Sequence, residues 1–470
     1  MRYPIPLHGR DSCRSALLLL VAGAVVSACS ADAPNPVGPL EHANEAAVIA
    51  GAATTISVGT SAELLSALAS ANAGTLIHLR AGSYPVSAPV IVPDGVVLEG
   101  EGVMRFDEGG RPTGFTPGTR TTLTMASNAP GNLLTLEDGA AVRRLAIEDL
   151  AGRAGNAVGV LSRAVGDHIS ASLVETEIVN PNPYTIVLQG SVGCGLMVFT
   201  QNPNLGAPPP PDDGATLEIT MERSLIHSPA NGSCGVFAFN FAPNASVTLH
   251  FTNDVVGGGL NANGGVSRTD AVHDSRVLIV STRTLYRDDH PAACSVVRVG
   301  WNLVGGSGAP VPVVLPATVG NTLEVRSLDD RIEGFATAVF ATGARRFFAE
   351  PTAGPSSDNS IDLQLLRTSI ETPACGTDLR LVGALAGGNF WPGDGNVVRA
   401  LLRGVQGSGT RANVYADVLS LTGPVSPELQ GRGNQLEIIG SLQAFLATNS
   451  GVTPAPGAQF FTAKGPRTIH

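Results

Sequence analysis

The sequence predicts an all-β solenoid in which short parallel strands stack coil upon coil. The 470 residues include 56 Gly and 33 Pro with only 14% charged residues, a composition that suits short strands joined by tight turns. Strand-like segments recur at a step of 30 residues, and apolar and polar residues alternate within them. A helical period of about 3.6 residues is missing from this region. Leucine-rich repeats and all-helical arrays are therefore excluded.

The charge of the chain excludes one class of partner. The formal net charge is −10 and no basic stripe occurs, so nucleic acid is not an expected partner. The basic residues are arginines except for Lys464 near the C-terminus. A lysine base is therefore not expected in the solenoid.

The N-terminus has the pattern of an export signal. Arg2, Arg10 and Arg14 precede the apolar run 16–26, which leads into Ser27-Ala28-Cys29. The run is too short to span a membrane, and small residues before a cut are typical of secretory signals. The Ser-Ala-Cys ending resembles the lipobox of bacterial lipoproteins. That resemblance implies cleavage after residue 28 and a lipid on Cys29.

These patterns divide the start of the chain into two parts. We expect a lipoprotein signal peptide over 1–28 and a tether over 29–53, which lacks periodicity and collects Ala, Pro and Asn. The protein would then be exported and held in the cell envelope, at the outer membrane, through the lipid on Cys29. An ordinary cut further on, after Ala31-Asp32-Ala33, would instead release it outside the cell.

One helix is expected at the start of the solenoid. The segment from Ser61 to Gly74 carries Leu64, Leu65 and Leu68 on one face, has Thr60 or Ser61 as its cap, and ends at Gly74. Two strand–turn–strand segments follow, beginning at residues 75 and 90. A short amphipathic helix can cover the first open edge of a solenoid.

The spacing of apolar residues predicts the register of the coils. Leu217, Val247 and Val277 are each 30 residues apart, and later and earlier steps of 46, 38 and 48 indicate a coil with an inserted loop. Each such residue has an apolar partner nine positions on, as in Leu217 and Ile226. Residues 223–242 also align without a gap with 283–302, which matches Cys234 to Cys294 two coils away. Two coils are about 9 to 10 Å, too far for a disulfide, so we expect these two cysteines not to be bonded.

Asparagine marks the start of the later repeats. Asn321, Asn359, Asn396 and Asn434 are spaced by 38, 37 and 38 residues. Asparagine tolerates the left-handed backbone conformation and bonds locally in turns. Stacked at one corner, these side chains are expected to bond from coil to coil.

The opening of the solenoid resembles a known family. A helix, then TLIHLRAGSY, then VIVPDGVVLEGEG is similar to the start of pectin-lyase-like right-handed parallel β-helix proteins, over about residues 55–150. The resemblance implies a single-stranded right-handed parallel β-helix with three sheets per coil and an aliphatic interior. We place it at 54–450, with a C-terminal tail over 451–470.

The resemblance also implies where to look for chemistry, because enzymes of this architecture hold polysaccharide in a cleft on one outer face. The residues that could form such a site are Arg268, Asp270, Asp288, Asp289 and His290. In addition, the register places His227 over Arg287, two coils away. Paired aspartates can share a proton or hold calcium, and histidine moves protons near neutral pH. The alternative interpretation is a solvated turn, since Asp-Asp before Pro291 is good turn chemistry.

Other polar and aromatic residues give weaker signals. Asp329, Asp330 and Glu333 alternate with arginines, as surface ion pairs do. Aromatic residues for stacking sugars are few, with Trp301 and Trp391 the two tryptophans. The cysteine spacings lack the pattern of a zinc site. No nucleophile, metalloprotease or nucleotide motif is present.

Two functions are therefore consistent with the sequence. The first is a cell-envelope lipoprotein that binds glycan or another envelope component without catalysis and needs no cofactor. The alternative is a polysaccharide lyase or glycoside hydrolase that works in an outer groove, where calcium would enter only for the lyase. Convergence of three or more carboxylate, arginine or histidine side chains in one outer groove would favour the enzyme.

Overall fold

The parallel β-helix predicted from the repeat is confirmed by a computed structural model. It describes residues 54–187, 190–200, 214–230, 232, 234–267, 272–290, 298–308, 318–343, 345–346, 356–374, 376–386, 394–407, 412–420, 434–440, 459–462 and 465–468. Cys29, Arg268, Asp270, Cys294, Cys375 and Trp391 lie outside these ranges. Right-handed winding stays a prediction from the family resemblance.

Each coil passes through three parallel sheets in turn. In one coil, Thr216–Glu222 lies in the first sheet, Leu225–His227 in the second and Cys234–Phe239 in the third, before Ser246–Thr252 returns to the first. Inward side chains of all three sheets form one apolar core, in which Leu217, Ile226 and Val236 are fully buried. Burial of each such side chain contributes about 1.5–3 kcal/mol. The core therefore repeats from coil to coil.

The first sheet contains, among the described residues, Thr54–Val58, Thr75–Leu79, Val97–Gly100, Ala141–Arg143, His168–Val174, Thr216–Glu222, Ser246–Thr252, Arg276–Thr282, Thr322–Leu328, Ser360–Leu366, Val397–Arg403 and Gln435–Gly440. The second contains Gly82–Val86, Thr121–Met125, Ala146–Glu148, Glu177–Val179, Leu225–His227, Val255–Gly257, Leu285–Arg287, Arg331–Glu333 and Ser369–Glu371.

The third sheet contains Val90–Val92, Gly131–Leu136, Gly155–Leu161, Cys194–Phe199, Cys234–Phe239, Leu260–Asn263, Val266–Ser267, Val299–Val304, Ser307–Gly308, Thr337–Thr342, Arg345–Arg346, Thr377–Ala386 and Ala412–Ser420. Three short strands, Val272–His273, Thr318–Val319 and Ser356–Ser357, form a small parallel sheet. Antiparallel hairpins join Met104–Phe106 to Pro112–Phe115, Thr185–Val187 to Gly190–Val192, and Gln459–Thr462 to Gly465–Thr468.

The register of the first two sheets is as predicted. Leu217 pairs with Val247, and Val247 pairs with Val277, all at 0% exposure. The steps with inserted loops also hold, because Val277 pairs with Leu323. Ile226, nine residues after Leu217, occupies the matching column of the second sheet.

The ungapped alignment fails in the third sheet. Val236 pairs with Leu260, which in turn pairs with Trp301, whereas the alignment requires residue 296 at that place. The connection between the second and third sheets differs in length from coil to coil. An alignment without gaps therefore matches equivalent residues before this connection but not after it. Cys294 itself lies outside the described residues, so the expectation that it is not bonded to Cys234 stays a prediction.

The predicted helix covers the first coil but is shorter than expected. It spans Ser61–Ser70 and begins at Thr60, whose side chain accepts a hydrogen bond from the backbone N–H of Glu63 at 3.2 Å. Leu64 packs in the core, but Leu65 is 45% exposed, so its predicted place on the buried face is wrong. The chain turns extended at Ala71, and Gly74 belongs to the following turn.

The asparagine ladder is confirmed. Asn321 Nδ2 donates to Asn359 Oδ1 at 3.0 Å, and the same bond joins Asn359 to Asn396 and Asn396 to Asn434. Each acceptor oxygen also receives the backbone N–H of the preceding ladder residue. The left-handed backbone lies one residue earlier than expected, as at Gly320 and Asp358. The asparagine side chains themselves are buried and form hydrogen bonds from one coil to the next.

A second buried polar column lies at the corner between the first and second sheets. Ser224 N donates to Asp254 Oδ1 at 2.7 Å, and Thr284 N donates to Asp330 Oδ1 at 2.8 Å. The expectation that Asp330 belongs to a surface ion pair is wrong, because it is 1% exposed. Its neighbour Asp329 does form a surface pair, with Arg367. Burial raises the pKa of Asp330 to about 7.

The structure also bears on membrane crossing. Within the part of the chain that the structure describes, no helix is both long and apolar enough to span a membrane.

Candidate functional site

The outer face of the second sheet brings together polar side chains from several coils. This surface, which carries Glu177, His227, Arg287 and Asp289 and is bordered by the hairpin of Met104–Phe106 and Pro112–Phe115, is called the groove below. From Ala146–Glu148 onward the strands of this sheet are three residues long, so each presents its first and last side chains outward. In one outward column Val179 is followed by His227, then Gly257, then Arg287. The predicted stacking of His227 over Arg287 is confirmed by a distance of 3.4 Å between Arg287 Nη2 and His227 Nδ1.

Gly257 makes this contact possible, because it leaves the position between the two side chains empty. The space is taken by the carboxylate of Asp289, which folds back over the strand. A methyl group on Gly257 would lie 1.8 Å from Asp289 Oδ2. Glycine is the residue that permits so close an approach.

The Asp289 carboxylate is held from three sides. Arg287 Nε donates to Oδ1 at 2.7 Å, and the backbone N–H of Ser228 donates to Oδ2 at 3.1 Å. His227 Nδ1 is 3.9 Å from Oδ2. Asp289 therefore lies inside the groove, where the sequence placed a candidate catalytic residue.

The other side of His227 faces a second carboxylate. His227 Nε2 is 3.7 Å from Glu177 Oε1. Arg120 bridges Glu177 at 3.1 Å and Glu148 at 2.5 Å, which extends the polar groove by a further coil. A carboxylate, an imidazole, a carboxylate and arginines thus alternate along the groove.

His227 is suited to accept a proton. The imidazole side chain is 33% exposed, so it is open to a ligand. Burial of the remainder lowers its pKa, and the two carboxylates only partly oppose that effect. The neutral ring accepts from Arg287 at Nδ1 and points Nε2–H toward Glu177, an assignment that follows from these partners.

Asp288 points away from Asp289. Its carboxylate pairs with Arg298 at 2.8 Å, and the two side chains are 4% and 5% exposed. Burial raises the pKa of Asp288 and lowers that of Arg298. The two aspartates therefore do not form a shared-proton pair, because each has its own arginine.

His290 contributes to the turn after the second-sheet strand. Its backbone N–H donates to Asp288 Oδ1 at 2.9 Å. Arg268 and Asp270, the remaining candidates, lie outside the described residues. No group of three or more His, Cys, Asp or Glu side chains in the described ranges has the arrangement of a metal site.

A hairpin forms one wall of the groove. It joins Met104–Phe106 to Pro112–Phe115 and lies along the corner between the first and second sheets. Its Arg111 Nε donates to the carbonyl of Arg283 at 3.1 Å, and the guanidinium of Arg223 lies 5.9 Å from the Phe106 ring. A methyl group on Gly114 would lie 3.8 Å from Glu177 Oε1, so the wall stands directly beside the site.

Sequence reasoning found only part of this site. Glu177 precedes Ile178, whose column the repeat identifies, so the same register could have placed Glu177 beside His227. Arg120 and the hairpin lie outside the repeat, and nothing in the spacing indicates them. Trp301 is fully buried in the core and so cannot stack on a sugar.

Comparisons with known proteins do not assign this chain to a family or to a function. No protein-family model matches the sequence, and a search of curated proteins finds no match. Among solved structures, the chain is similar to an alginate lyase from Paenibacillus sp. str. FPU-7, with 15% identity over 66% of this chain and 98% of that one. The TM-score is 0.27. The fold described above rests on the strand register of the chain itself.

Proposed function

We propose that the protein is a polysaccharide lyase that cleaves an acidic glycan by β-elimination in the groove of the second sheet. The observation that carries this proposal is the placement of His227. A partly exposed imidazole with a lowered pKa lies within reach of two carboxylates and an arginine. Convergence of such groups on one outer surface supports a catalytic role for that surface.

Arginine gives the groove a way to recognise a uronate. Arg287 divides its donors between Asp289 and His227. A substrate carboxylate that takes the Nη2 donor would release the lone pair on His227 Nδ1. The protein is acidic overall, but these arginines offer local positive charge to an anionic sugar.

The released imidazole can then act on the sugar ring. His227 takes the proton next to the uronate carboxyl, the electron pair forms the new carbon–carbon double bond, and the bond to the glycosidic oxygen breaks. The imidazolium returns the proton to that oxygen, so atoms and charge balance. Arg287 stabilises the charge that develops on the carboxylate.

Hydrolysis fits the same residues less well. A glycoside hydrolase needs one protonated carboxylic acid opposite an ionised one. Glu177 and Asp289 both accept hydrogen bonds from arginine, which suits ionised carboxylates. Neither side chain is therefore placed as the general acid.

The test is a turnover assay on the purified full chain, with and without calcium. Polygalacturonate, alginate and neutral glucans are the substrates, and the unsaturated product is followed by ultraviolet absorbance. We expect His227→Gln to lower kcat about 10²–10⁴-fold. His250→Gln is the matched control, because His250 is also partly buried beside a glutamate but lies on the first sheet.

The outcomes separate the candidates. New reducing ends without an absorbing product would indicate a hydrolase. Equal turnover by wild type and His227→Gln would refute the assignment of the base.

A second candidate is glycan binding without catalysis. It is favoured by the internal partner that each of Glu177, Asp289 and Arg287 already has, since structural ion-pair networks show the same arrangement. Retention of a polysaccharide without turnover would support this candidate.

Export and lipid attachment at Cys29 remain part of the proposal. They are supported by the signal-like N-terminus and by a groove suited to a substrate found outside the cytoplasm. Polysaccharide and membrane, through the lipid, are the proposed partners.

A further inference from the structure

Two cysteines meet on the outer face of the third sheet. Cys194 and Cys234 begin neighbouring parallel strands and are directly paired in register. Both are buried thiols in a cluster with Phe199, Phe237 and Phe239. They lie outside the main core, on the opposite side of the sheet from Val236.

The spacing of the two strands suits a covalent bond. Paired residues on adjacent parallel strands are about 4.8 Å apart, and disulfides join Cα atoms about 4.4–6.8 Å apart. Both cysteine side chains belong to the same cluster, so they lie on the same side of the sheet. This pair therefore requires no collapse of the stack.

Each cysteine is followed by a glycine that lies close to the interior of the coil. Methyl groups on Gly195 and Gly235 would lie 2.6 Å from an Ile226 methyl and 2.3 Å from the carbonyl oxygen of Gly257. Both glycines therefore approach the interior closely. The usual alternation of side chains is interrupted there, because Leu196 and Val236, directly after these glycines, also lie in the core, whereas both cysteines lie in the outer cluster with the phenylalanines.

We propose that Cys194 and Cys234 form a disulfide that joins two adjacent coils when the chain folds in an oxidising compartment. The oxidant is a small-molecule disulfide such as glutathione disulfide. One cysteine thiolate attacks it, releases one thiol and forms a mixed disulfide. The second thiolate then displaces the other thiol, so that two protein thiols are oxidised and one external disulfide is reduced.

Packing indicates when the bond forms. In the finished fold burial raises the pKa of the Cys194 thiol, which suppresses the reactive thiolate. Exchange is therefore expected before the phenylalanines close over the pair. Afterwards the same cover shields the disulfide from reductants.

The test refolds the purified full chain from denaturant with a reduced and oxidised glutathione pair, or with reduced glutathione alone. Non-reducing peptide mapping should recover a Cys194–Cys234 crosslink from the first sample only. The crosslinked sample should have a Tm several degrees above the reduced one. Cys194→Ser and Cys234→Ser should each abolish the crosslink and the Tm difference, whereas Cys375→Ser should keep both.

Two results would overturn the proposal. One is recovery of both residues as thiols from correctly refolded, oxidised protein. The other is pairing of either with a different cysteine. If the serine variants do not fold, the oxidised wild type is unfolded in denaturant and alkylated before and after reduction, because a bridged pair then takes up label only after reduction. None of these outcomes depends on the lyase assignment.

Discussion

Among single residues, Gly257 shapes the groove because it has no side chain. The space that it leaves admits the Asp289 carboxylate and lets Arg287 reach His227 across two coils. A repeat position that elsewhere carries Val179 or Glu333 thus leaves room for the Asp289 carboxylate, because glycine has no side chain there.

The variant Gly257→Ala tests this directly. The added methyl must displace Asp289, which loses its bond from the Ser228 N–H and shifts Arg287. We expect a loss of about 1–3 kcal/mol in the free energy of unfolding, measured by urea denaturation, and a reduced turnover. Gly59→Ala is the control, since its nearest neighbour would be 3.7 Å away. Equal stability of both variants would contradict the packing described.

Asp330 makes stability depend on pH. Its folded pKa of about 7 is above the unfolded value of about 3.9, so the folded state holds the proton more tightly between these values. Stability is therefore expected to fall as pH rises from about 4 to about 7, by up to about 4 kcal/mol from this group.

Asp330→Asn should flatten that part of the profile in urea titrations at successive pH values. Asp254, whose pKa burial also raises, keeps a contribution of the same sign. Asp329→Asn is the control, because Arg367 lowers the pKa of that exposed carboxyl and its effect has the opposite sign. A slope unchanged in Asp330→Asn but altered in Asp329→Asn would exclude Asp330 as the source.

Among structural elements, the corners of the solenoid are held by polar side chains that bond along the stack. The spacing of the asparagines predicts their ladder, because equivalent positions in a regular coil must lie above one another. The Asp254 and Asp330 column is not marked in this way. It mixes Thr, Ser and Asp, so residue type gives no repeated signal.

Removal of one asparagine side chain from the ladder should lower the stability of the fold. Asn359 Oδ1 accepts two hydrogen bonds from Asn321, and its Nδ2 donates to Asn396. We expect Asn359→Ala to lower the free energy of unfolding by about 2–4 kcal/mol, because buried donors lose their acceptor. Ser360→Ala, one residue on and facing outward, should change it by less than about 0.5 kcal/mol. Similar losses in both would mean that the ladder adds little.

Elements outside the repeat could not be predicted. The hairpin Met104–Phe115 has no periodic counterpart, and it docks through a contact between Arg111 and Arg283 that is remote in sequence. The third-sheet register escaped prediction for a related reason. Loops of variable length precede each of its strands, so the step of 30 residues does not apply there.

For the whole molecule, the sequence predicts the stacking but not the complete site. Periodicity follows from the need of each coil to cross the same three sheets, and it brought His227 to Arg287. It does not tell which way adjacent side chains turn, as Asp288 and Asp289 illustrate. The direction of each side chain depends on its packing. Asp288 pairs with Arg298, and Asp289 fills the space that Gly257 leaves.

The predicted anchor is a property of the entire chain. Cys29→Ser is expected to move the protein from the membrane fraction to the soluble fraction, because a lipid chain supplies the binding energy at about 0.8 kcal/mol per buried methylene. Fractionation with immunoblotting measures the shift, and Cys13→Ser is the matched control. Equal solubility of wild type and Cys29→Ser would leave a free exported protein as the better interpretation.

The hairpin has a consequence for how the molecule unfolds. In an ideal solenoid each coil contacts only the next, so its ends can fray independently. Here the hairpin follows the strand Val97–Gly100 and reaches Arg283, which follows Arg276–Thr282, across four intervening strands of the first sheet. The hairpin therefore links these coils to one another, and we expect them to unfold together. Glu177 and His227 lie on coils that the hairpin spans, so we expect this part of the groove to resist fraying.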